Sequence, residues 1–491
     1  MKKKILCLFI LFCGIFLFAE QNKENDFLKI NENCYFYRLE NGLSLFVAEN
    51  NSVPLAYVEI AVRAGAITQN KDNAGLFHLY EHMMFKGNKK FSDSAKVQKA
   101  LSDMGTASWN GTTGIECVNY FFTIPKQKLE DGLDFWSNAI RNPLLDSAEL
   151  EVEKKVVIAE IQGQESNPGR YAGSFINNHL FDKPWQLDPS GSVKNIEKAT
   201  VQQLKQIQSS FYIPQNAALF VGGDVRHEEV FELVQKIYGD WSNNNAGLAQ
   251  IESTVEKQSE APFEKPFLCV MPYDKISPVM AQITAYYRGP DSDFDRKGTY
   301  PADLLYYFLE DPQSDSGKEF TQDEKLGIPS SDYVGTGYST RRRTGVTSVS
   351  AVVMSPEIEL AERSVYFCQK FDSFMKNYLD NDNIIPEKNR KQIIQRLKDD
   401  KVFESETFMG MLNSLRSSWV TTSIDYYMDY ISNIQNVTNK DIQDYIARYI
   451  AGKNPLVIVY VNPAVYENSK QEFESYGFIE IDSKNAFWWA R

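Results

Sequence analysis

Histidine is scarce in this sequence, with only four among 491 residues. Two of the four, His78 and His82, stand four positions apart in one short apolar segment. Residues at positions i and i+4 of a helix point the same way, one turn apart. The scarcity therefore makes this pair the first feature of the chain that needs a physical explanation.

Cysteine and positive charge are scarce as well. Of six cysteines, four follow the first 19 residues: Cys34, Cys117, Cys269 and Cys368. They are too scattered to indicate a metal site or a disulfide framework, so we expect mostly buried free thiols. The net charge of -13 argues against a nucleic-acid binder, which needs basic patches. The one basic cluster, Arg341–Arg343, is expected in a solvated loop.

Long apolar runs are absent after the first residues. The chain starts Met-Lys-Lys-Lys, continues apolar from Ile5 to Phe18, and then reaches Ala19. A basic start, a short apolar stretch and a small residue predict a secretory signal over residues 1–19 and an exported protein, periplasmic or secreted. The alternative is an uncleaved membrane anchor, although the apolar stretch is short for a full span.

The histidine pair belongs to the motif His78-Leu-Tyr-Glu81-His82. Two imidazoles on one helix face can hold a zinc ion, which leaves a position open for water in catalytic sites. A carboxylate one residue before the second histidine can take a proton from that water. Apolar neighbours surround the motif, so its polar side chains need partners. The pattern is the inverted zincin motif H-x-x-E-H.

Two histidines and a water leave zinc one protein ligand short. Asp146-Ser-Ala-Glu149 has the pattern of a capping box before a helix, which we predict to run from Glu149 to about Gln164. Three glutamates of that helix share one face, and their spacing does not choose among them: Glu149, Glu153 and Glu160.

The chain repeats itself at an offset of 238 residues. Asn195–Thr200 matches Asn433–Thr438, and each copy continues with an amphipathic helix and then a strand. This pattern predicts an α+β fold with two homologous domains, each a mostly antiparallel sheet packed against helices on one side. We assign residues 26–245 to a metal-binding domain, 246–262 to a polar linker, and 263–491 to a second domain, which has no histidine.

The motifs together resemble the pitrilysin/insulinase-type inverzincin metallopeptidases, which include the mitochondrial processing peptidases. The resemblance rests on five stretches: Asn41-Gly-Leu43, Gly75–Gly87 around the histidines, Trp109-Asn-Gly-Thr-Thr113, Arg141-Asn-Pro-Leu-Leu145 and Glu153–Glu160.

The resemblance implies a role for each matching residue. His78, His82 and Glu160 correspond to zinc ligands, and Glu81 to the general base of a zinc metalloendopeptidase. Glu153 corresponds to a supporting acidic position. Asn110 and Gly111 correspond to the edge strand on which these enzymes lay an extended peptide.

Members of this class enclose a chamber with four such domains, so a two-domain chain implies a dimer. The family's substrate-clamping Arg and Tyr are missing from the nearest stretch, Thr321–Ser330. We therefore expect a second half-size subunit that supplies them, with a homodimer using Tyr333, Tyr338 or Arg341 as the alternative. The alternative to an enzyme is a non-catalytic structural or peptide-binding subunit of a peptidase-like complex.

Overall fold

The computed structural model describes residues 27–242, 257–311 and 314–490. The predicted signal, residues 1–19, and residues 246–256 of the predicted linker lie outside these ranges. No helix within them is both long enough and apolar enough to cross a membrane.

The first half of the chain forms a seven-stranded sheet. Its strand order is β1-β2-β3-β7-β4-β6-β5, and every neighbouring pair is antiparallel except the parallel pair β3 and β7. The strands are β1 Phe27–Asn31, β2 Cys34–Arg38, β3 Ser44–Glu49, β4 Leu55–Val62, β5 Ser108–Thr113, β6 Val118–Pro125 and β7 Ala217–Gly223.

Within the described part of this half, eight helices accompany the sheet. They are α1 Leu76–Met84, α2 Ser94–Asp103, α3 Leu129–Arg141, α4 Ser147–Glu165, α5 Tyr171–Leu180, α6 Val193–Lys198, α7 Val201–Phe211 and α8 His227–Tyr238. Helices α1, α3, α4, α7 and α8 contribute buried apolar side chains to the core on one face of the sheet.

The second half forms a six-stranded sheet of order β10-β11-β9-β12-β8-β13. Its strands are β8 Phe267–Pro272, β9 Met280–Arg288, β10 Val334–Ser339, β11 Val346–Met354, β12 Leu456–Val461 and β13 Ile479–Glu480. Its helices are α9 Arg296–Leu309, α10 Asp315–Thr321, α11 Leu360–Leu379, α12 Glu387–Glu404, α13 Phe408–Thr421, α14 Ile424–Gln435, α15 Asn439–Tyr449 and α16 Pro463–Ser475. Short 3-10 turns occur at Ala66–Thr68, Lys126–Lys128, Pro168–Arg170, Pro184–Leu187, Pro214–Asn216, Ser331–Tyr333 and Trp488–Ala490.

The two sheets share one topology, which confirms the predicted internal duplication. The order β3-β7-β4-β6-β5 in the first sheet matches β8-β12-β9-β11-β10 in the second, with the parallel pair in the same place. Thr200 and Thr438 cap the equivalent helices α7 and α15, each through a reciprocal capping box.

The predicted fold class, α+β with two mostly antiparallel sheets, is confirmed. Side chains alternate along the central strands β3 and β7, so both faces of the first sheet are apolar and both must be covered. The half's own helices cover one face. Helix α13, which comes from the second half, covers the other face with Met411, Leu412 and Leu415.

The second sheet is covered on one face by a helix of the first half. Phe175 and Leu180 of α5, a first-half helix, pack against Cys269 of β8 and Leu456 and Ile458 of β12. Each half therefore lends a helix to the other's sheet. The linear boundary that we predicted in the sequence does not reveal this exchange.

Candidate metal centre

Helix α1 presents the motif as predicted. Gly75 precedes it at φ +94, a backbone conformation that glycine adopts without strain. Leu79, Tyr80 and Met83 are buried on its core side. The opposite side of the helix is left for His78, Glu81 and His82, which are only half-buried.

Helix α4 brings the third side chain. Asp146 caps it by accepting the backbone N–H groups of Ala148 and Glu149, so the helix starts two residues before the predicted Glu149. Of the three glutamates left open by the sequence, Glu160 is the one that reaches both histidines. Glu149 lies in the first turn of α4 and outside the cluster.

Three potential ligand atoms form a compact triangle. The Nε2 atoms of His78 and His82 are 3.3 Å apart, and Oε2 of Glu160 is 3.5 Å from the first and 3.7 Å from the second. Zinc ligands at about 2.1 Å in a tetrahedron stand roughly 3.4 Å from each other. The residues present therefore fit a zinc ion.

The protonation state of His78 suits metal binding. Burial, together with the neighbouring His82, lowers the pKa of His78 to about 4. Its imidazole is therefore neutral near pH 7, as a metal ligand must be. Its Nδ1 atom is buried without a hydrogen-bond partner, so Nε2 is the nitrogen engaged with the cluster.

Glu153 contacts His82 on the side of the ring opposite Nε2. Its Oε2 lies 3.0 Å from Nδ1 of His82, and its Oε1 lies 2.6 Å from Nζ of Lys86. A proton on Nδ1 then bonds to the carboxylate and leaves the lone pair of Nε2 facing Glu160. Sequence reasoning missed Lys86, although it stands four residues after His82 on the same side of the chain.

Glu81 is held by strand β5. The hydroxyl of Thr113 donates to Oε2 of Glu81 at 2.8 Å. Burial raises the pKa of Glu81, and the hydrogen bond from Thr113 opposes that rise. Sequence reasoning also missed Thr113, although it ends the Trp109–Thr113 stretch that we had singled out.

Strand β5 lies at the edge of the first sheet, as expected for Asn110 and Gly111. A Cβ atom on Gly111 would lie 3.0 Å from Oε1 of Glu81 and 3.1 Å from the ring of Phe85. The strand can therefore approach α1 this closely only because position 111 has no side chain.

The described residues of the second half form no equivalent of this centre. Its topologically matching helix, α9, bears Asp303, whose carboxylate accepts a hydrogen bond from the hydroxyl of Tyr430 at 2.8 Å. Among the described residues, the only other group of possible ligands is Glu49, His227 and Glu228 in the first half. Glu49 accepts the backbone N–H of His227 there, which accounts for its position at the start of α8.

The expected solvated loop at Arg341–Arg343 is a wrong prediction. Arg343 is 5% exposed and pairs with Asp293 at 3.0 Å. The backbone N–H of Arg342 donates to Glu116 of the first half at 2.7 Å. The basic stretch is therefore part of the contact between the halves. A single sequence gives no signal for that contact, because the partners are more than 200 residues apart.

Comparisons with known proteins agree with this architecture. The profile described as Insulinase (Peptidase family M16) matches residues 45–191, and the profile described as Peptidase M16 inactive domain matches residues 198–389. The zinc protease PqqE of Helicobacter pylori is 26% identical over 208 residues, which are 42% of this chain and 46% of that protein. Subunit beta of the mitochondrial-processing peptidase of Rattus norvegicus is 28% identical over 206 residues, 41% of each chain.

The fold itself recurs in a solved structure. The first half of the periplasmic protease PqqL from Escherichia coli superposes with a TM-score of 0.69 at 16% identity, covering 91% of this chain and 97% of that one. The matches to curated relatives span about half of the relatives' length or less.

The fold and the profiles together define a protein of two homologous α+β halves, matched by two profiles of one peptidase family. The chain belongs to the insulinase family, peptidase family M16.

Proposed function

We propose that this protein is a zinc-dependent endopeptidase that hydrolyses peptides or unfolded polypeptide segments. The observation that supports this most directly is the triangle of His78, His82 and Glu160, whose edges of 3.3 to 3.7 Å suit zinc. The names of relatives, which include a zinc protease, support the same metal.

Each residue of the centre would have a separate role in the reaction. A zinc ion held by the triangle would supply Lewis acidity that lowers the pKa of a water molecule toward about 7. Glu81 takes a proton from the attacking water and passes it to the leaving amine. Its Oε2 is engaged by Thr113, so Oε1 is the atom available for the proton.

Substrate binding would use the exposed edge of β5. An extended peptide added there satisfies the free backbone groups of the strand whatever its side chains are. Asn110 and Gly111 lie on that edge, and Gly111 keeps the strand in contact with Glu81. This arrangement suits broad recognition of unfolded segments.

The decisive experiment compares Glu81→Gln with Glu149→Gln in the chain purified together with any subunit that binds it. Glu81→Gln should retain one zinc per chain by elemental analysis and lose at least about 100-fold in turnover of a quenched peptide library. Glu149→Gln is the matched control on α4 and should stay within about twofold of the parent protein.

Removal of the metal provides the second arm. A chelator should abolish turnover, and added zinc should restore it. Absence of zinc from the purified parent protein, or full turnover by Glu81→Gln, would reject the proposal. Stoichiometric zinc without turnover of any library peptide would instead support the non-catalytic, peptide-binding alternative.

A second half-size subunit is the partner that we infer. One relative is named as the beta subunit of a peptidase, and the superposed Escherichia coli structure is the first half of a longer protease. We favour a heterodimer whose other subunit supplies the missing Arg and Tyr. In the homodimer alternative, Tyr338 would first have to release Pro290, whose carbonyl oxygen accepts its hydroxyl at 2.8 Å.

Native mass spectrometry of the complex isolated from its host distinguishes these assemblies. A heterodimer predicts two subunit masses in equal amounts. A fully active species that contains only this chain would reject the heterodimer and leave the homodimer.

Export to the periplasm or the medium is the localisation that we propose. It rests on the basic and apolar start of the chain, and a structural relative is described as a periplasmic protease. Cell fractionation and N-terminal sequencing of the recovered protein test it, and recovery of an uncleaved chain from the cytoplasmic fraction would contradict it.

A further inference from the structure

The last described residues of the second half lie against the first half. Phe487 is 3% exposed and joins a cluster with Phe175 and Leu180 of α5. The ring of Trp489 stacks on that of Phe487 with centroids 4.9 Å apart, and it also packs against the core of the first half. We call the residues Phe487, Trp488 and Trp489 the aromatic clasp.

Trp489 forms a hydrogen bond with the helix that bears Glu160. Its indole N–H donates to Oε1 of Glu165 at 2.8 Å. Glu165 is the last residue of α4, five residues beyond Glu160, which is about 7.5 Å along the helix axis. An α-helix moves as a rigid element over that length, so the bond restrains the position of Glu160 relative to the rest of the molecule.

Trp488 is connected to the helix that bears the histidines. Its indole N–H donates to Oδ2 of Asp188 at 2.9 Å. The backbone oxygen of Asp188 accepts the side-chain amide of Gln69 at 3.0 Å, and Oε1 of Gln69 accepts the backbone N–H of Gly75 at 2.7 Å. Gly75 is the residue that opens α1, three positions before His78.

The loop that contains Asp188 also touches the start of α1 directly. A Cβ atom on Gly75 would lie 2.6 Å from the carbonyl oxygen of Ser190, and one on Gly191 would lie 2.3 Å from that of Ala74. Backbone is packed against backbone there without room for a side chain. A displacement of the 188–191 loop therefore displaces the first turn of α1.

We propose that the aromatic clasp positions the metal centre. Trp488 restrains α1 and Trp489 restrains α4, so that the two helices present His78, His82 and Glu160 at the spacing that zinc needs. The inference rests on the proposed zinc chemistry for its functional consequence. It adds positioning residues that lie more than 300 positions away in sequence and belong to the half that has no ligands.

The test replaces each indole by a ring that cannot donate: Trp488→Phe, Trp489→Phe and the double variant. Phenylalanine keeps an aromatic ring at each site, so the variants should fold. We expect the zinc dissociation constant, measured by competition with a chelator, to rise about tenfold in each single variant, as for other groups that orient metal ligands. Trp241→Phe, which changes a buried tryptophan beside Tyr238 at the end of α8, should leave zinc affinity unchanged.

A double-mutant cycle isolates the bond from the packing. Glu165→Ala removes the acceptor of Trp489 and leaves the aromatic cluster intact. If the hydrogen bond is responsible, Trp489→Phe combined with Glu165→Ala should weaken zinc binding no more than either change alone. Additive losses would overturn the role of this bond.

Hydrogen exchange of the metal-free protein separates this inference from the proposed function. The Phe variants should exchange faster in α1 and in the second half of α4, while the sheets stay protected. Unchanged exchange and unchanged zinc affinity would reject the clasp and leave the peptidase proposal intact. A parent protein that binds no zinc would reject the peptidase proposal, and the exchange data alone would then decide whether the clasp orders the two helices.

Discussion

At the scale of single residues, the geometry of the candidate centre depends on the side chains that hydrogen-bond to His82 and Glu81 as well as on the potential ligands themselves. Glu153 lies between His82 and Lys86, so each oxygen of its buried carboxylate has a partner. Thr113 is likewise a partner of Glu81. Glu153 and Glu81 thus each have at least one partner that fixes the orientation of the carboxylate.

Thr113→Val should lower peptidase turnover about tenfold and leave zinc content unchanged. Valine has nearly the same shape as threonine and lacks the hydroxyl, so Oε2 of Glu81 loses its donor and the carboxylate loses its fixed orientation. Steady-state kinetics and elemental analysis measure the two quantities. Thr106→Val, which removes a hydroxyl bonded to the carbonyl oxygen of Leu101 just before β5, is the control. Equal effects of the two substitutions would contradict a specific role for Thr113.

At the scale of elements, α13 contacts the first sheet through an ion pair as well as through its apolar side chains. Glu59 in β4 is 1% exposed and accepts hydrogen bonds from Tyr57, Asn119 and Arg416. Arg416 comes from α13, so a charge of the second half neutralises a buried charge of the first. Asn119 in turn accepts the hydroxyl of Thr112, a neighbour of Thr113 in the edge strand β5.

Arg416→Met should lower the free energy of unfolding by about 3 kcal/mol, because it leaves the Glu59 carboxylate buried without its counter-charge. Chemical denaturation of the metal-free protein measures the loss. Adding Glu59→Gln removes the buried charge, so the double variant should regain part of the stability. A double variant that is less stable than Arg416→Met would show that the packing of α13, rather than the charge, determines the result.

The contact of Glu116 with the loop around Arg342 makes the stability of the interface between the halves depend on pH. Burial raises the pKa of Glu116 to about 7, and the N–H group of Arg342 only partly opposes this rise. The ordinary pKa in an unfolded chain is about 4.3. Between these values the folded protein holds a proton that the unfolded chain has released. The contribution of this proton to the free energy of unfolding is therefore complete below about pH 4 and is lost as the pH rises through 7.

Glu116→Gln should remove this dependence. The difference in unfolding free energy between the parent protein and the variant should change by about 2 kcal/mol between pH 5.5 and pH 8, in favour of the parent at the lower pH. Denaturation at the two pH values measures it. A difference that stays constant, or that favours the parent more at pH 8, would show that Glu116 is ionised in the folded protein.

At the scale of the whole molecule, the two halves cannot be independent units in the simple sense that the duplication suggests. Each sheet has two apolar faces, and in each case one face is covered by a helix of the other half. Phe46 and Phe220 of the first sheet, for example, would face water if α13 were removed. Through this exchange, the half that contains the candidate metal site packs against the half that does not.

Expression of residues 26–245 alone should therefore give aggregated protein, because a large apolar sheet face would be exposed. Co-expression with residues 263–491 as a separate chain should restore a soluble complex of the two. Size-exclusion chromatography and circular dichroism measure the outcome. A soluble, cooperatively folded first half on its own would show that α13 is dispensable for its sheet.

Much of this protein follows from its sequence. The strand at Leu55–Val62, the cap at Asp146, the paired caps at Thr200 and Thr438 and the duplication all depend on short-range patterns of polarity and turn chemistry, which act within a few residues. The position of Glu81 between two histidines is equally local. The family resemblance then supplied Glu160, which spacing alone had left open among three acids.

Only the tertiary structure decided the rest. The exchange of α5 and α13, the burial of Arg343 and the contacts of Trp488 and Trp489 join residues far apart in the chain, and no local pattern records such pairs. Their physical reason is global: every apolar face and every buried polar group must find a partner somewhere in the molecule, and which partner it finds depends on how the whole chain packs.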